Sequence, residues 1–105
     1  MTQFTVYRNP NPATRARVPL LLDIQSPLLD DLASCVVAPL MPMARHKAPA
    51  IRKLMPILDV GDARYVMITP QIAGVSRKVL GDAVGDLSGQ RGAIVAALDL
   101  LFTGI

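Results

Sequence analysis

At 105 residues the chain is the length of one domain, and with 51% hydrophobic residues and a net charge of +3 it carries more apolar side chain than a lone small domain needs. No stretch approaches the roughly 18 uninterrupted apolar residues of a spanning helix: Asp23 closes the run from Val18 to Leu22, and Asp99 closes the run from Ile94 to Leu98. The excess apolar surface is therefore expected at a subunit interface, most simply with a second copy of the chain. The opening MTQFTVYRNP lacks the apolar core of a signal peptide. The single cysteine, Cys35, fits a reducing cytoplasm and reads as inert packing within an apolar run. All eight acidic residues are Asp, a residue suited to turns and caps and poor within helices, so the composition favours strands.

In chain order, Gln3 to Arg8 alternates apolar and polar and predicts a half-buried strand. Asn9 to Ala16, with two Asn-Pro steps, predicts a loop. Arg17 to Gln25 predicts a second strand with Leu20, Leu22 and Ile24 on one side, followed by a short turn over Leu28-Leu29-Asp30-Asp31. Cys35 to Leu40 predicts a third strand. Pro42 to Lys53 holds Arg45, His46, Lys47, Arg52 and Lys53, and reads either as a phosphate-binding patch or as a solvated loop. Without interleaved aromatic residues on which bases could stack, the solvated loop is favoured.

Met55 to Val60 and Arg64 to Thr69 flank Gly61-Asp62 and predict a hairpin, with Asp59 and Gly61 at its turn. Thr69-Pro70 opens a single helical turn. Ser76 to Leu80 predicts a last strand and Gly81 to Gly85 a loop. From Ser88, read as the N-cap, a long helix follows. Arg91, Ile94, Val95, Leu98, Leu101 and Phe102 recur at helical spacing, widened by Ala97 and Leu100, with only Gly92, Ala96, Asp99 and Thr103 as a thin polar strip. Gly104 fits a left-handed helix end, leaving a tip of Phe-Thr-Gly-Ile. The fold expected is a β-rich single domain over residues 1–105: a small barrel or twisted sheet of five or six antiparallel strands with one C-terminal helix.

The residues carry no motif for catalysis, metal or cofactor. His46 has no Cys or His at metal-ligand spacing, no Gly-rich phosphate loop joins a strand to a helix, and no serine sits in a nucleophile elbow. Asp30-Asp31 reads as an exposed pair whose carboxylates point apart.

A full-length pattern adds to this reading. It comprises Gln3-Phe4-x-Val6-Tyr7, Asp23-Ile24-Gln25-Ser26 with Leu28-Leu29-Asp30, Val37-x-Pro39-Leu40, Val60-Gly61-Asp62, Met67-x-Thr69, Ala73-x-Val75, Asp86-Leu87-Ser88 and the terminal Gly104-Ile105. In order and spacing it resembles the CcdB family, toxin halves of toxin–antitoxin pairs. The resemblance implies an SH3-like barrel shared with the MazF and PemK toxins, a symmetric homodimer, and a non-enzymatic activity: binding the DNA gyrase A subunit and trapping the gyrase–DNA cleavage complex. Carried onto this chain, the gyrase-binding residues would be Phe102, Thr103, Gly104 and Ile105, with Asp99 one turn earlier and Leu28 and Leu29 on the loop after the second strand. The best-known family pattern has Trp before the terminal Gly-Ile, stacking on gyrase arginines; this chain has Thr103. The resemblance also implies a CcdA-like antitoxin with an acidic segment, for which Arg45, Lys47 and Arg52 would be contacts. The pair would repress its own operon, with DNA reached only through the antitoxin or gyrase. Two other readings share the fold: a MazF-like endoribonuclease and a binding domain without a target.

Overall fold

The computed structural model describes residues 3–46 and 51–104. Seven antiparallel strands occur among them: β1 (Thr5–Arg8), β2 (Leu20–Asp23), β3 (Ser34–Pro42), β4 (Ile57–Val60), β5 (Ala63–Met67), β6 (Ala73–Ser76) and β7 (Ala83–Asp86). They run in the order β4-β5-β3-β2-β1-β7, with β6 also pairing β3. The result is a half-barrel closed over by one C-terminal helix, α1 (Arg91–Thr103). The long β3 is the hinge of this order. Its first half pairs β6 and its second half pairs β5, while β2 lies along its other side.

The alternation read in the first strands decides which face is which. Val6, Leu20, Leu22, Ala38 and Leu40 face the concave side and form the core with Leu58, Met67, Leu87, Ile94 and Ala97. Such burial supplies about 1.5–3 kcal/mol per large apolar side chain. The convex side is not simply wet. Tyr7 pairs with Leu21, and Leu21 with Pro39; one row along, Asp23 pairs with Val37 and Val37 with Ala73. Tyr7, Asp23, Cys35 and Val37 on this side are all buried.

Helix α1 enters through a 3-10 turn at Ser88–Gln90. The Ser88 hydroxyl does not cap it: Leu87 precedes the turn and Gln90 the helix, neither with a side-chain capping bond, while the Ser88 N–H donates to the Asp86 carboxylate at 2.8 Å. Gln90 then joins the helix to the hairpin, accepting from the Asp59 N–H at 2.9 Å and donating to its carbonyl at 2.8 Å. Only part of the expected apolar face is sealed. Ile94 and Ala97 are fully buried and Val95 and Leu98 partly so, whereas Arg91 and Phe102 project outward. Arg91 instead lays its guanidinium over the Phe4 ring, 5.8 Å from its centre. Phe4 itself is buried in the left-handed region at φ 72. Its N–H and carbonyl both bond there, to the Asp23 carbonyl at 2.6 Å and the Leu87 N–H at 2.8 Å, and these bonds hold a conformation costing about 1–2 kcal/mol.

Three further expectations need correcting. Asp59 lies in β4 opposite Arg64, with a 3.4 Å ion pair, and the turn is Gly61-Asp62. Gly61 has φ 60, as the tight primed hairpin turns require. The strand expected at Ser76 to Leu80 lies earlier, at β6, because the Ser76 hydroxyl accepts from the Lys78 N–H and starts a 3-10 turn at Arg77–Val79. The loop expected at Gly81 to Gly85 contains most of β7, paired to β1. The antiparallel half-barrel with one C-terminal helix is the fold expected, its strands numbering seven among the described residues.

Candidate functional site

Two exposed apolar elements stand out. The first is the end of α1. Phe102 is 69% exposed, and Asp99, Thr103 and Gly104 are exposed beside it. Gly104 takes the left-handed conformation expected of it, φ 75, and its N–H closes the helix on the Leu100 carbonyl at 3.0 Å. The Thr103 hydroxyl donates to the Asp99 carbonyl one turn back at 2.7 Å. That bond occupies the hydroxyl's proton and turns Thr103 into a small, largely apolar neighbour of Phe102. Ile105 lies outside the described residues.

The second element is a ledge built on a 3-10 turn, Pro27–Leu29, between β2 and β3. Ser26 caps it, its hydroxyl accepting from the Leu28 N–H at 3.2 Å. Leu28 is 92% exposed and Leu29 46%. Gln25 staples the turn from inside. Its amide donates to the Leu29 carbonyl at 3.1 Å and the Ser34 carbonyl at 3.2 Å, and its side-chain oxygen accepts from the Val36 N–H at 3.1 Å. The Asp23 carboxylate accepts from the Gln25 N–H at 2.9 Å. Asp23 in turn faces Arg77, Nη1 to Oδ2 at 4.0 Å, and Arg77 also faces Asp30 at 3.8 Å. The Asp23–Arg77 pairing had no signal in the sequence, because the two residues meet only through the β2–β3–β6 sheet.

Cys35 lies under this polar group. Burial, reinforced by a hydrogen bond with Asp23 and its negative charge, pushes the thiol up to about 12. It is therefore a neutral thiol at physiological pH, as its apolar context implied. Burial, with Asp23 beside it, also raises the pKa of Tyr7.

A cleft of about 700 Å³ opens on the convex face, with Leu21, Val37, Pro39, Ala73 and Val75 among its walls and Arg17 in its lining. The Asn9–Arg17 loop forms one side. Asn9 orders that loop, its amide donating to the Thr14 hydroxyl and the Val18 carbonyl, both at 2.9 Å. Arg45 donates to the Ala16 carbonyl of the same loop. Arg52 is exposed in a turn further on, and Lys47 lies outside the described residues. The basic segment thus contributes Arg45 to the loop beside the cleft.

The comparisons agree with this geometry. The family model described as CcdB protein matches residues 3–104. The chain belongs to the CcdB family. It is a toxin of a toxin–antitoxin pair by that membership, and its half-barrel with one C-terminal helix is the expected SH3-like fold. A solved mycobacterial endoribonuclease in complex with its cognate antitoxin is similar to it, with a TM-score of 0.74 at 18% identity, covering 94% of this chain and 91% of that chain. At that identity the likeness concerns the fold. Among the described residues, no helix is long and apolar enough to cross a membrane.

Proposed function

We propose that this CcdB-family toxin is a non-enzymatic gyrase poison: it binds the DNA gyrase A subunit and traps the cleavage complex. The contact would run through Phe102, Thr103, Gly104, Ile105 and Asp99 at the helix end, and through Leu28 and Leu29 on the ledge. The observation that carries this reading is the exposure of Phe102 and Leu28, two large apolar side chains offered to solvent by ordered elements. With Thr103 in the place of the family's Trp, Phe102 supplies the aromatic part of the contact. A stack on an arginine is worth about 0.5–2 kcal/mol, so affinity is set lower than in members with both rings.

The toxin is proposed to act as a homodimer in the cytoplasm. The half-exposed Val95, Leu98 and Leu101 of α1 would meet their copies there; light scattering that gives a monomer at micromolar concentration would remove this part. The CcdA-like antitoxin is proposed to lay an acidic, partly apolar segment along the convex cleft, with Arg17 and Arg45 beside it and Arg52 and Lys47 as further cations. Co-repression of the operon would follow from that complex. The endoribonuclease reading draws less support. RNA cleavage would need a base and an oxyanion stabiliser close together, for which the chain offers an Arg or Lys with Thr69 or His46. Thr69 is fully buried, and no spacing in the sequence argues for His46.

The test is gyrase cleavage. Toxin, supercoiled DNA, ATP and gyrase of the same organism are mixed and then treated with detergent and protease. Linear DNA that disappears on deletion of Gly104-Ile105 is the expected result. No linear DNA, together with RNA cut by toxin alone, would replace the proposal with the ribonuclease.

A further inference from the structure

The ledge has an unusual support. Its 3-10 turn buries no residue, and Leu29 and Leu32 are each about half exposed, so apolar packing does little to fix it. Its position rests on polar ties, and most of those not made by Gln25 converge on Arg77, which arrives from the far end of β6. The Arg77 backbone N–H donates to the Ala33 carbonyl at 2.9 Å, and its Nε donates to the Leu32 carbonyl at 2.8 Å. Its two terminal nitrogens face Asp23 at 4.0 Å and Asp30 at 3.8 Å. One guanidinium therefore spans the end of β2, the back of the ledge and the start of β3, a task suited to its planar, multi-donor fork and beyond a lysine ammonium. The Asp23 side chain is fully buried and that of Arg77 21% exposed. Asp23 Oδ2, Asp30 Oδ1 and Arg77 Nη2 make no hydrogen bond, so the link to both carboxylates is one of charge. A tie serving stability alone is often matched or bettered by apolar side chains of similar volume. This one holds a loop that has no apolar anchor.

We infer that Arg77 is a positioning residue: it fixes the ledge so that Leu28 and Leu29 meet the partner already in place, sparing the binding step the entropy of ordering them. The inference rests on the reading of the ledge as part of the partner surface. The test therefore needs one readout with the partner and one without.

The variants are Arg77→Met, Arg77→Lys, Leu28→Ala and the Arg77→Met/Leu28→Ala double. Amide exchange is followed in the free protein, and dissociation is timed from purified gyrase A subunit. In Arg77→Met the Asp30 and Leu32 amides should exchange about tenfold faster while those of β1 and β2 hold, the size expected for losing a charged tie. Its complex should dissociate about five- to tenfold faster, and adding Arg77→Met to Leu28→Ala should cost clearly less than it costs wild type, because only Leu29 is then left for the tether to position. Arg77→Lys should recover only part of the loss. If Arg77→Met does not fold, Asp30→Asn weakens the same tie from the ledge side. Exchange that is unchanged at the ledge, or raised equally everywhere, would overturn the proposal, as would a dissociation penalty that persists in full without Leu28. If Leu28→Ala binds like wild type while ledge exchange still rises in Arg77→Met, the tether is upheld and the ledge as a partner surface is overturned.

Discussion

The helix tip and the ledge offer similar apolar side chains to solvent but are held in opposite ways. The tip is self-contained: Gly104 closes on Leu100 and Thr103 on Asp99, all within α1, and the helix is seated by Ile94 and Ala97. The ledge has local bonds too, the N–H groups of Leu29, Asp30 and Leu32 each donating three residues back. But its 3-10 turn buries no residue, and it is tied to the sheet by residues from elsewhere, Gln25 to β3 and Arg77 from beyond β6. A helix end is stiff because its backbone bonds are local. A loop of this kind is stiff only while distant parts of the sheet stay in register. The tip should therefore tolerate changes elsewhere that leave α1 docked, and the ledge should not.

The largest effect that would break this contrast is at the helix seat. Ile94→Ala removes a fully buried core side chain and should cost about 3–4 kcal/mol, read from the midpoint of denaturant unfolding, because Ile94 is the largest side chain that α1 buries fully. Asp23→Ala attacks the ledge instead. It strands the Gln25 N–H and the Arg77 guanidinium and should cost about 2–3 kcal/mol, less than a wholly buried pair because Arg77 can reach water. Gly104→Ala forces a side chain into the left-handed region at φ 75 and should cost about 1 kcal/mol, expressed as fraying of the last turn in amide exchange. Leu28→Ala should change stability by no more than about 0.5 kcal/mol while reducing gyrase binding, which separates presentation from folding. The convex face gives a pH test. Cys35 is raised to about 12 from an ordinary 9.0, so its contribution is whole below pH 9 and is lost as pH rises towards 12, because the unfolded chain gives up the proton first. The alkaline fall in melting temperature should be shallower in Cys35→Ala than in wild type.

The tip was more legible in the sequence than the ledge, for the same physical reason. Gly104 as the left-handed helix end, the helix before it and the single turn at Thr69-Pro70 all depend on neighbours along the chain, and each stands as read. Where partners come from far away, the reading slipped. Ala83–Asp86 has too little alternation to announce a strand and becomes one only because β1 lies alongside. Ser88 looked like a cap because serine usually caps; instead it opens a 3-10 turn, and its own N–H donates to the Asp86 carboxylate. Arg91 fell on the apolar stripe by spacing, yet its guanidinium lies over the Phe4 ring, at the other end of the chain, only because the fold brings Phe4 against the start of α1. Phe102 at the helix end and Leu28 in the turn after the second strand were placed by spacing; only their role as a partner surface came from the family pattern. Arg77 came from neither, since its partners are assembled by the register of three strands.

The most direct test is calorimetric titration of the gyrase A subunit with wild-type toxin, Phe102→Ala, Leu28→Ala and the double variant. Each single change should weaken binding by about tenfold or more, in the range of a truncated interface anchor, and the double should lose roughly the sum because the two elements are supported independently. Wild-type affinity in both single variants would contradict it, and would mean that the two exposed elements serve some other partner.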